Sequence, residues 1–152
     1  TTSYTVVDLE YAVSRTSSFH YNGKLDKKVP RFDIIAVDKK GQLYVIELKT
    51  GLGAIDNNSG IGPHMECFNH TIGRDRENLF MNEMTELLEQ KKDLRLIDNS
   101  VFIDKTKKPL FIFAFSDKIG ENHYADFVEA CKEVAYEGKV IYLDKSHQLK
   151  DL

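Results

Sequence analysis

Two carboxylates and an ammonium, Asp33, Glu47 and Lys49, fall close enough along the chain to act together. They fall in the stretch Arg31–Gly51, which reads as two apolar strands joined by a short polar turn. Lys39-Lys40-Gly41 fits a three-residue hairpin loop, a type I turn with Gly41 in the left-handed bulge position. That loop pairs Asp38 with Gln42 and, counted back, sets Asp33 opposite Glu47. Side chains alternate along a strand, so Asp33, Glu47 and Lys49 are expected on one face. Two like charges directly opposed destabilise a strand pair. A divalent cation bridging the carboxylates would compensate, with Lys49 as a neighbouring positive charge. The hard oxygens of Asp33 and Glu47 suit Mg²⁺ or Mn²⁺, ions that retain waters and accept phosphate oxygens as further ligands. The plainer alternative is a buried ion pair of Asp33 with Lys49 or Arg31. It leaves excess negative charge on the face, and desolvation makes such pairs rare.

The segments on either side of the hairpin decide where it lies. Residues 5–15 are expected to be helical, because Val6, Leu9 and Val13 recur at the spacing of one buried face, with Glu10 on or beside it. A carboxylate there needs a partner, either the site or a lysine. Phe19 and Tyr21 suggest an edge strand with Asn22-Gly23 as a turn, and Pro30 leads into the hairpin. Strands 32–37 and 43–48 are apolar on both faces apart from Asp33 and Glu47, as central, helix-covered strands are. Residues 50–60, rich in glycine and asparagine, read as a loop rimming the site, without the spacing of a phosphate loop. Pro63 opens a short helix to about Thr71 carrying His64, Phe68 and His70. His64 is a candidate to reach a phosphate or order the site, against a surface or capping role.

Further on, a long helix is expected over 74–94, with Phe80, Met84, Leu87 and Leu88 buried and Leu79 beside them. A strand over 110–115, a helix over 122–136 stopped by Gly138, and a closing strand over 140–143 complete the chain. The fold class expected is α/β, one domain over residues 1–152 with a mixed central sheet flanked by helices. The first residue is not methionine, so the chain reads as a domain excised from a longer one or as a processed product.

At 152 residues and 41% hydrophobic content, the chain can bury a core without disulfides. Cys67 and Cys131 lack zinc spacing and read as buried free thiols in a reducing cytoplasm. No membrane span or signal segment is visible. A net charge of -3 argues against indiscriminate polyanion binding, although lysines cluster at 39/40 and 105/107/108.

The pattern Asp33, thirteen intervening residues, then Glu47-Leu48-Lys49 resembles the signature of the PD-(D/E)xK nuclease superfamily. The proline stands at Pro30, and Phe32 precedes Asp33. The resemblance implies a restriction-endonuclease-like fold and hydrolysis of phosphodiester bonds, in DNA before RNA. It further implies metal ligation by Asp33, Glu47 and the Leu48 carbonyl, and a catalytic Lys49. Glu10 would complete the outer sphere or a second metal site, and a homodimer would cut both strands. Arg31 and His64 are the candidate substrate contacts. The competing function is a nuclease-fold module that has lost catalysis and docks nucleic acid or protein.

Overall fold

In the computed structural model of the protein, the described residues are 3–12, 19–21, 24–26, 31–49, 64, 68, 77–115, 140–143 and 149–151. They form β1 (Tyr4–Ala12), β2 (Phe19–Tyr21), β3 (Lys24–Asp26), β4 (Arg31–Asp38), β5 (Leu43–Lys49), α1 (Glu77–Asp93), β6 (Leu110–Phe115), β7 (Val140–Leu143) and β8 (Leu149–Asp151). A six-stranded mixed sheet has the order β1-β4-β5-β6-β7-β8, and β2 and β3 make a separate antiparallel pair. The α/β class expected from the sequence is present. The 122–136 helix, Cys67, Cys131 and the 50–60 loop lie outside the described residues.

The first element corrects the sequence reading, since Tyr4–Ala12 is a strand. Its β-branched and aromatic residues Tyr4, Thr5, Val6, Val7 and Tyr11 suit a pleated surface. It runs antiparallel to β4 with a register shift between Val6 and Asp8. That bulge turns Val7 fully inward, and the Val7 carbonyl accepts the Lys91 ammonium of α1. Tyr11 makes a second tie, donating to Glu83 at 2.6 Å with its ring 5.4 Å from Phe80.

The β4–β5 hairpin has the expected register, Ile34 through Val37 opposite Ile46 through Leu43. Gly41 takes φ +76°, and the Asp38 carboxylate accepts the N–H groups of Lys40 and Gln42 at 2.8 and 2.9 Å. The parallel β5–β6 step leads through α1. Phe80, Met81, Met84 and Leu88 are the buried stripe of α1. Met81 thus stands where Leu87 was expected, and Leu79 is exposed. Ile35, Val37, Leu43, Val45, Phe111 and Phe113 are all buried, joined by Phe32 and Phe68. Phe68 stacks on Phe111 with centroids 4.5 Å apart. No helix among the described residues is long and apolar enough to cross a membrane.

Candidate functional site

Asp33 and Glu47 sit at the end of the hairpin away from its turn. The register, continued one pair beyond Ile34–Ile46, sets them opposite each other. Strict alternation nevertheless slips here. Ile35, Val45 and Phe111 are neighbours in register and share a face. Phe32 also reaches Phe111, at 6.0 Å between centroids, although it lies three residues before Ile35. Beside the slip, Glu10 of β1 has φ +52°. Asp33 lies within this irregularity, and its Oδ2 accepts the Leu48 N–H at 2.7 Å. In a regular ladder that N–H would go to a backbone carbonyl of β4. The Leu48 contribution visible here is therefore its N–H, bonded to Asp33.

Glu47 and Lys49 are the charged residues buried among the described residues, 5% and 3% exposed. Lys49 Nζ donates to Glu47 Oε1 at 3.1 Å and lies 6.0 Å from the centre of the Phe113 ring. His64 Nε2 is 2.8 Å from the same Oε1, and Lys49 Nζ is 3.2 Å from His64 Nδ1. An ammonium can only donate, so Nδ1 accepts and the hydrogen of the neutral imidazole resides on Nε2. Both ring nitrogens of His64 are thus engaged inside the cluster. Glu47 Oε2 is buried and has no hydrogen-bond partner among the described residues.

The electrostatics pull the two acids apart. Burial pushes Asp33 above the ordinary carboxylate range; the Leu48 N–H opposes it, Glu47 adds to it, and the Lys49 ammonium lowers it. For Glu47, burial is the largest single influence and favours the proton. Bonding to His64, then to Lys49, outweighs it and holds the carboxyl below its ordinary range.

The remaining candidates lie close by. Glu10 falls between the pairs Leu9–Ile34 and Tyr11–Phe32, beside Asp33 on the adjoining strand and not on a helix. It is exposed, and its carboxylate is 3.9 Å from Arg31, also exposed. Among the described residues no group of three or more His, Cys, Asp or Glu side chains is arranged to hold a metal ion. Two carboxylates, one with a buried oxygen unpartnered among the described residues, still fit Mg²⁺, an ion that usually retains several waters and takes one or two protein carboxylates. The contribution of Phe113 was beyond sequence reasoning, because its place under Lys49 depends on which strand follows β5 in the sheet. Comparison with protein-family models, with curated proteins and with solved structures finds no match to the chain.

Proposed function

We propose that the protein is a metal-dependent nuclease hydrolysing phosphodiester bonds in DNA, built on a restriction-endonuclease-like variant of the α/β fold. The observation carrying this reading is the cluster Asp33, Glu47 and Lys49, with one Glu47 oxygen buried and unpartnered among the described residues. Asp33 and Glu47 would hold Mg²⁺ or Mn²⁺, with the Leu48 carbonyl as a further candidate ligand. When bound, that ion activates a water and neutralises charge on the scissile phosphate. Lys49, desolvated and fixed by Glu47 and His64, stabilises negative charge developing beside it. Glu10 and Arg31, on the exposed rim, are candidates for the outer sphere and for a phosphate contact.

Cleavage of supercoiled plasmid with Mg²⁺ or Mn²⁺ tests the reading, run beside single-stranded DNA and RNA. Lys49→Ala is expected to abolish cleavage while retaining metal. An intact rate in Lys49→Ala, or no metal-dependent cleavage of any nucleic acid by wild type, would sink it. A second reading, a docking module without catalysis, is favoured by one observation: Lys49 is bound internally to both Glu47 and His64. Metal-independent DNA binding without cleavage is its expected signature.

A further inference from the structure

We propose that His64 is the positioning residue of the Glu47–Lys49 pair, and that it meets neither phosphate nor metal. The inference rests on the nuclease reading and deepens it. Three contacts carry it: His64 Nε2 to Glu47 Oε1 at 2.8 Å, Lys49 Nζ to His64 Nδ1 at 3.2 Å, and Lys49 Nζ to Glu47 Oε1 at 3.1 Å. The imidazole therefore closes a ring with both partners. A carboxylate held by Lys49 alone could swing about its last torsion, which is broad and roughly two-fold. The Nε2–H bond to Oε1 removes that freedom and leaves Oε2 as the oxygen available to a ligand. The same ring takes one ammonium hydrogen and so fixes the direction of the others. Helical like His64 and four positions further on, Phe68 is fully buried between Phe111 and Phe32, with centroids 4.5 and 6.1 Å away. Partners of this kind, one bond removed from a metal, typically alter metal affinity by about 10–100-fold when lost.

The test is calorimetric titration of the full chain with Mn²⁺ alone, for wild type, His64→Ala, His64→Gln and Asp33→Asn, each checked for folding by circular dichroism. Wild type is expected to bind, Asp33→Asn not to bind, and His64→Ala to bind about 10-fold or more weakly. His64→Gln is expected to recover most of that loss, because its amide can donate to Glu47 and accept from Lys49. On plasmid DNA, His64→Ala should lower kcat and leave KM unchanged, whereas a lost phosphate contact raises KM. Should His64→Ala fail to fold, His64→Gln carries the test alone with near-wild-type affinity expected. Equal Mn²⁺ affinity in His64→Ala and wild type, or a His64→Gln variant as weak as a folded His64→Ala, overturns the assignment while leaving the nuclease reading intact. Failure of wild type to bind Mn²⁺ overturns both.

Discussion

The Asp33 carboxylate accepts the Leu48 N–H at 2.7 Å, a bond that a strand ladder would normally give to a carbonyl. A side chain is thereby substituted for backbone at the point where the hairpin opens. It is an acid that burial holds above its ordinary range, opposed by that N–H and reinforced by Glu47.

Asp33→Asn follows directly. The amide oxygen can still accept from Leu48, and the charge facing Glu47 is gone. A carboxyl with a raised folded pKa costs nothing below its unfolded value, and stability is lost as pH rises through the folded pKa. Metal-free Asp33→Asn is therefore expected to melt above wild type at pH 7, with the gap closing toward pH 4. Melting curves across that range, with and without Mn²⁺, check both this and the loss of metal stabilisation. A variant less stable than wild type at pH 7 would contradict the account.

Lys49→Met removes the ammonium but keeps most of the volume. Glu47 is then left buried with His64 as its remaining partner at Oε1. Breaking a buried pair from one side typically costs about 3–5 kcal/mol. Urea unfolding is expected to show a loss of that order. The double variant Lys49→Met/Glu47→Gln should be less destabilised than the sum of the singles.

At Gly41 two constraints coincide. Its φ is +76°, and a Cβ would stand 2.6 Å from Phe102 Cε2 and 2.8 Å from the Asp104 nitrogen. Left-handed backbone alone costs an L-residue about 1–2 kcal/mol. Gly41→Ala is expected to lose about 2 kcal/mol or more by chemical denaturation, with the clash adding to the strain.

The end of α1 offers a stabilising change. Arg95 has φ +57°, and the bonds Leu96 N–H to Lys91 and Arg95 N–H to Lys92, both 2.8 Å, form a Schellman cap. Glycine is the usual occupant of that position. Arg95→Gly is expected to gain about 0.5–1 kcal/mol, the relief of left-handed strain less the glycine entropy.

High pH probes the turn end of the hairpin. Burial, followed by Asp38, raises the Tyr44 phenol well above its ordinary value, and its hydroxyl donates to Asp38 Oδ2 at 3.1 Å. A raised folded pKa means the contribution is present below about 10 and disappears as pH climbs beyond it. The stability difference between wild type and Tyr44→Phe should narrow from pH 9 upward in urea melts.

Much of this arrangement was legible in the chain itself. The Lys39-Lys40-Gly41 loop sets a register by counting, and the structure keeps it through four pairs. The Val140–Leu143 strand falls where its apolar run predicts. The opening strand was misread as helix for a physical reason: the bulge at Val7 and the irregular backbone at Glu10 break the two-residue alternation. What remains imitates a three-to-four spacing through Val6 and Leu9. Leu149–Asp151 carries one apolar residue and gave no strand signal. The slip at Asp33 could not be foreseen, since it shows only in the contacts of the Phe32 ring with Phe68 and Phe111. His64 was a candidate by residue type alone; only three-dimensional placement joins it to residues fifteen and seventeen positions earlier.

The near-complete burial of Lys49 has a kinetic meaning for any anion arriving beside it. Its ammonium shed most of its hydration when the chain folded, and Glu47, His64 and the Phe113 ring now hold it in one orientation. An incoming negative group therefore meets a charge that needs little rearrangement before it can act.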